Sequence, residues 1–295
     1  MNRSNLIFAI LISFLLLHGQ LNAQKHTNVS MSIPETVEVI KDIQYVNYQD
    51  RELLLDIYKP ANWEDGKLPT LLVIRGGSWL RGDKEGFRHV AAALALRGFA
   101  TVCVEYRTSR EATFPAAVLD IKSAVKWIKD NADRYNFDAN SIGAIGGSAG
   151  AHLAALIGVS ANVDSLNPTE KTEDFRIHAV VGLATPPDLI RDSVAKIVIK
   201  WIGKPYKSNE ELWESASPLS HIDVDSPPML FIHSSSDKVV PFEQALLAIE
   251  KLGKVGVYSE LVLIPNAPHP FWKYEEWFNP TMDKAAAFFH EQLKK

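Results

Sequence analysis

The sequence predicts an α/β fold, a mostly parallel sheet covered by helices on both faces. Three observations predict it. Short apolar runs alternate with longer stretches whose apolar residues recur at helical spacing. No internal repeat, low-complexity tract or break in composition divides the 295 residues into a second domain. Glycine-bearing turns follow two of the apolar runs directly, at the strand ends where open α/β sheets place their chemistry.

In chain order, Arg3 precedes an apolar run over residues 6–17, and Leu21-Asn22-Ala23 leads to Gln24. This reads as a cleavable secretory signal over 1–23, with an apolar core too short for a stable membrane span. The expected mature chain, 24–295, is exported to the periplasm or beyond the cell, and no cysteine after the cut invites a lipid anchor. Two early strands near 37–45 and 53–58 precede the alternation. Strands are expected near 71–74, 100–106, 142–145, 179–181, 229–233 and 261–264, about eight in all. Helical periodicity covers 87–96, 116–131, 149–157, 242–252 and 281–292. The only cysteine, Cys103, falls in the strand Ala100-Thr101-Val102-Cys103-Val104, which marks it as a buried apolar residue. Residues 185–228 break the alternation with Pro186-Pro187, Trp201, Pro205-Tyr206, Trp213 and Pro218. This is an insertion in a lid position, whose aromatics either line a pocket or pack it onto the domain.

The most informative turn is Gly146-Gly147-Ser148-Ala149-Gly150, between the strand 142–145 and the helix 149–157. A strand reversing into a helix within two residues strains its apex, and flanking glycines remove the side chains that would collide there. The serine hydroxyl then stands clear, and the helix N-terminus offers N–H groups to a developing oxyanion. A serine needs a base, and in this arrangement an acid and then a histidine follow it along the chain. Asp237 lies just past the strand 229–233, and only His269 and His290 come later. His290 belongs to the amphipathic terminal helix. His269 lies in the loop Pro268-His269-Pro270, which two prolines stiffen, and is the expected base. A second glycine turn, Arg75-Gly76-Gly77-Ser78-Trp79, follows the strand 71–74. It lets backbone N–H groups of Gly76 or Gly77 approach a carbonyl oxygen, with Ala149 supplying the other donor. Trp79 is a candidate substrate contact.

These words together resemble the α/β-hydrolases with His-Gly-Gly-Gly-Trp-type oxyanion loops, a group that includes bacterial carbohydrate esterases and hormone-sensitive-lipase-like enzymes. The likeness covers nearly all of the chain after about residue 40. It rests on Gly76-Gly77-Ser78-Trp79 with Gly82-Asp83-Lys84, Glu105-Tyr106-Arg107, Phe114-Pro115 with Asp120, residues 146–153, Asp237-Lys238-Val239-Val240-Pro241 and Pro268-His269. The resemblance implies Ser148 as nucleophile, Asp237 as acid, His269 as base and Gly76 or Gly77 with Ala149 as oxyanion donors. One departure is clear: Arg75 and Ser78 stand where the group has histidine and a third glycine. The planar arginine fork either braces the loop or turns toward the site to favour an anionic substrate group.

The implied activity is a serine esterase working on small acyl esters, with carbohydrate-linked esters favoured by export and by the resemblance. The same triad also serves amide hydrolases such as a formamidase or small peptidase, and a silent binding protein on this scaffold is the alternative outside enzymes. No metal or organic cofactor is called for. His221, Asp223 and Asp225 lack a convincing ligand spacing and read as a polar loop. Without the leader the charge is 30 basic against 35 acidic residues, or −5, which excludes a basic nucleic-acid surface.

Overall fold

The computed structural model describes residues 12–14, 26–168, 174–192 and 194–293. The expected leader lies outside the described residues except for a three-residue strand, β1 (Ile12–Phe14), placed parallel to the far edge of the sheet. The other eight strands are β2 (Val37–Tyr48), β3 (Arg51–Pro60), β4 (Leu68–Ile74), β5 (Ala100–Val104), β6 (Phe137–Gly147), β7 (Ala179–Leu183), β8 (Met229–Ser234) and β9 (Ser259–Ile264). They form one sheet in the order β1-β9-β8-β7-β6-β4-β5-β3-β2. β2 and β3 make an antiparallel hairpin, with Tyr48 opposite Arg51 across Gln49-Asp50, and β3 runs antiparallel to β5. Every pairing from β5 through β4, β6, β7 and β8 to β9 is parallel.

Parallel strands need crossover connections, and the helices that supply them bury both faces. This is why β5 and β7 are buried at every position and read as unbroken apolar runs, whereas edge strand β2 alternates with exposed residues. Helices α1 (Arg88–Ala95) and α9 (Glu275–Gln292) cover one face, packing Val90, Leu94, Met282 and Phe289 against Leu71, Val73 and Ile145. Helices α2 (Ala116–Asp130), α4 (Ala149–Val159) and α8 (Glu243–Lys254) cover the other, with a short α3 (Ala132–Tyr135) between α2 and β6. In α2 the buried Ala117, Val118, Ile121, Ala124, Val125 and Ile128 form a stripe at helical spacing. α4 is buried on all sides, as expected for a helix with no polar face.

Two parts differ from expectation. The final helix starts at Glu275 instead of 281, carrying Pro280 in its second turn. Proline there forgoes only one hydrogen bond near the helix start, so packing of Trp277 and Phe278 extends the helix past the position that reads as its beginning. The insertion 185–228 folds into α5 (Lys196–Ile202), α6 (Glu210–Ala216) and α7 (Pro218–His221), each too short to show a period. Its Trp201 and Trp213 are fully buried, so these two aromatics pack the insertion onto the domain.

Candidate active site

The site sits at the carboxyl ends of β4, β6 and β8, where each strand hands over to a loop. Ser148 ends β6 and begins α4 with φ 53° and ψ −121°, a left-handed conformation costing on the order of 1–3 kcal/mol in a non-glycine residue. The surroundings hold it there. Its N–H donates to the Leu183 carbonyl at 2.8 Å, and its carbonyl accepts the His152 N–H at 3.0 Å. A Cβ on Gly146 would lie 2.2 Å from the Gly150 carbonyl oxygen, so the turn closes this tightly only with glycine there.

Ser148 Oγ lies 2.9 Å from His269 Nε2, and His269 Nδ1 lies 2.7 Å from Asp237 Oδ2. Asp237 Oδ1 accepts the N–H groups of Val239 and Val240 at 2.8 and 3.0 Å. Burial pushes the Asp237 carboxyl upward, but the bonds from His269 and those two N–H groups outweigh it and hold it below the usual aspartate range. With Asp237 ionised, His269 Nδ1–H donates to it and Nε2 faces the serine hydroxyl as an acceptor. The buried ring of His233 stands behind Asp237, its Nε2 2.8 Å from the Val240 carbonyl, and burial lowers its pKa.

Gly76 lies against the turn: a Cβ on it would sit 2.0 Å from the Gly147 carbonyl oxygen and 3.3 Å from Ser148 Cβ. Among the described residues no acceptor takes the N–H of Gly76, Gly77 or Ala149, which leaves those donors for a ligand. The loop is strapped from below by Tyr106. Its buried hydroxyl lies 2.7 Å from the Arg75 carbonyl and 2.9 Å from that of Arg81, gripping both ends. Arg75 forms an ion pair with Asp83, and its side chain lies where a Cβ on Gly86 would fall. It braces the loop and also borders the cleft.

Trp79 is not where a substrate contact is expected. It is 4% exposed and does not line the cleft. Its ring stacks on Trp201 at 4.9 Å, and its N–H donates to His152 Nδ1 at 3.3 Å. The left-handed backbone at Ser78 and Trp79, φ 55° at each, carries the indole beneath the loop. His152 Nε2–H in turn donates to the Ala216 carbonyl at 2.8 Å, tying loop, α4 and insertion together. The aromatic wall comes instead from Phe87 and Trp272, which lines the cleft edge-on to His269 at 5.8 Å. Position three past His269 was the available signal for Trp272. The cleft is about 280 Å³, bounded by Gly76, Gly77, Ser148, His269, Phe87 and Trp272. A larger cavity of about 390 Å³ opens near Asn140 and His178, at the amino ends of β6 and β7; it is the roomier one, but no member of the Ser148–His269–Asp237 chain reaches it. His221 bonds to the Ser215 carbonyl and Asp223 to Ser226, each in its own turn. Among the described residues no group of three or more His, Cys, Asp or Glu side chains is placed to hold a metal ion, and no helix is long and apolar enough to cross a membrane.

Burial depresses two histidines, His152 and His89, to about 4. Unfolded, each takes its proton near pH 6.5, so protons favour the unfolded chain below that point. Stability is therefore expected to fall as pH drops from about 6.5 toward 4, by on the order of 3 kcal/mol per histidine. Urea midpoints across that window check this, and a flat profile would contradict it.

The parallel sheet with its serine turn after β6, acid after β8 and histidine after β9 defines an α/β-hydrolase. Residues 55–252 match the BD-FAE family, and the chain belongs to it. It is 32% identical over 243 residues to the probable carboxylic ester hydrolase LipM of Mycobacterium tuberculosis, covering 78% of this chain and 56% of LipM. The chain spans a little over half the length of this relative and of the esterases LipC and LipQ of the same organism. A truncated carbohydrate esterase from gut microbiota superposes with a TM-score of 0.77 at 25% identity, over 89% of this chain and 99% of that one. Esterase 2 of Thermogutta terrifontis superposes with a TM-score of 0.74 at 30% identity, over 88% and 97%.

Proposed function

We propose that this chain is an exported serine carboxylic ester hydrolase that cleaves small acyl esters, with carbohydrate-linked esters as its substrates. The carrying observation is the unbroken contact chain from Ser148 Oγ through His269 to Asp237, beside N–H groups that no acceptor takes among the described residues. His269 takes the serine proton as Oγ attacks the ester carbonyl. The oxyanion settles on the N–H of Ala149 and of Gly76 or Gly77. Collapse expels the alcohol, which receives the proton from His269 and leaves an acyl-serine. Water, deprotonated by the same histidine, then releases the carboxylic acid. The relatives support this reading: LipM is a probable carboxylic ester hydrolase, and the gut neighbour is a carbohydrate esterase. The Thermogutta esterase has been captured with butyrate, with propionate, and phosphoramylated by tabun.

A fluorophosphonate probe tests the reading alongside turnover of aryl acetate, aryl butyrate, an acetylated oligosaccharide and matched anilides. The expected result is a label on Ser148, with esters turned over and anilides left alone. A Ser148 that neither labels nor turns over any ester overturns the proposal in favour of a silent scaffold. Preferential anilide cleavage would replace it with the amide reading.

A further inference from the structure

We infer that the substrate of this cleft carries a fixed anion, a carboxylate or similar oxyacid group, close to the ester bond. Building on the esterase reading, this narrows it to one chemical class of ester. The Arg and Lys residues lining the cleft are Arg75, Arg81 and Lys273, and among the described residues no aspartate or glutamate lines it. The whole chain is acidic, with 35 Asp and Glu against 31 Lys and Arg, so a purely cationic rim runs against the overall balance. Arg75 is compensated by Asp83. Arg81 and Lys273, by contrast, have no ion-pair partner among the described residues. Gathering like charges without partners is unfavourable for the empty protein, and a bound anion removes that penalty.

The placement of the two unpaired cations gives the anion a position. Arg81 runs over Gly77, since a Cβ there would lie 3.0 Å from Arg81 Cβ and 3.4 Å from its Cδ. Its aliphatic stem thus lies against a candidate oxyanion donor, with Arg81 lining the cleft. Lys273 rises from the opposite wall, directly after Trp272 in the loop that carries His269. The cleft at Ser148 is thus lined by Arg81 on the loop side and by Lys273 on the histidine side. Burial and the nearby Arg81 charge both depress the Arg75 pKa, as two guanidinium groups gathered at one rim require. Arginine's planar fork matches a carboxylate, so Arg81 supplies the directional contact and Lys273 a second charge.

The anion can sit on either side of the ester bond, and two substrate pairs separate these sources. On the acyl side, 4-nitrophenyl hemiglutarate is compared with 4-nitrophenyl valerate. On the alcohol side, an acetylated oligogalacturonate is compared with an acetylated neutral oligosaccharide. The expected result is a kcat/KM about tenfold higher for the anionic member of at least one pair at low salt. That ratio should fall toward one when salt is raised from 0.05 to 1 M, because the Debye length shortens to about 3 Å. It should also fall in the Arg81→Gln, Lys273→Gln double variant. The salt series uses the wild-type chain, so it decides the matter even if the variant folds poorly. Ratios at or below one in both pairs, with neutral esters still turned over, overturn the inference and leave the esterase reading standing. No turnover of any of the four overturns both.

Discussion

Alanine at position 148 is expected to lower kcat on an aryl ester by about 10⁶-fold, the order seen when the nucleophile of such a triad is removed. The size follows from how little remains. Without Oγ the hydroxyl that His269 activates is gone, and His269 keeps Asp237 on Nδ1 but loses Ser148 on Nε2. The fold should be almost indifferent. Ser148 makes its structural bonds through its backbone N–H and carbonyl, and alanine at φ 53° bears much the same strain as serine. Burst titration of the wild type and thermal melts of both proteins make the check. An unchanged melting temperature with residual hydrolysis near the uncatalysed rate is the expected pair, and a variant retaining a tenth of wild-type kcat would refute the nucleophile assignment.

Gly76→Ala is expected to cost about 10²–10³ in kcat, the amount usually lost with one oxyanion donor. The new methyl would fall 2.0 Å from the Gly147 carbonyl oxygen, and that oxygen belongs to backbone in the sheet's most constrained turn. The turn cannot yield cheaply, so the 75–81 loop must move away from Ser148, taking its N–H groups out of line. Since an oxyanion exists only in the transition state, kcat should fall far more than KM rises. The rate of fluorophosphonate labelling, which passes through a similar phosphoryl oxyanion, should drop in step. Wild-type kcat in a folded variant would show that the donors lie elsewhere.

Much of the fold was legible because a doubly covered parallel sheet writes itself as apolar runs. The strands expected near 71–74, 142–145 and 229–233 fall inside β4, β6 and β8, though the first two miss residues 68–70 and 137–141 at the amino ends. The insertion was opaque for the opposite reason. Helices of four to seven residues are fixed by what Trp201 and Trp213 bury against, which no local period records. In the site, chain order was enough to select Ser148, Asp237 and His269, and the structure brings those three side chains into contact. Orientation was not readable in this way. Trp79 neighbours the glycine loop in sequence, yet two left-handed residues carry it underneath, while Trp272 arrives from far along the chain to form the wall. The cationic rim was equally hidden, because Arg75, Arg81 and Lys273 converge only once β4 and β9 are both in place.

The buried link from Trp79 through His152 to the Ala216 carbonyl means that the insertion is not an interchangeable module. A chimera that exchanges residues 185–228 for those of a relative inherits a new surface under Trp79, and with it a new resting position for the oxyanion loop. Substrate range and turnover should therefore change together in such swaps, and segments transplanted along with their own residues at 79 and 152 should keep their rates best.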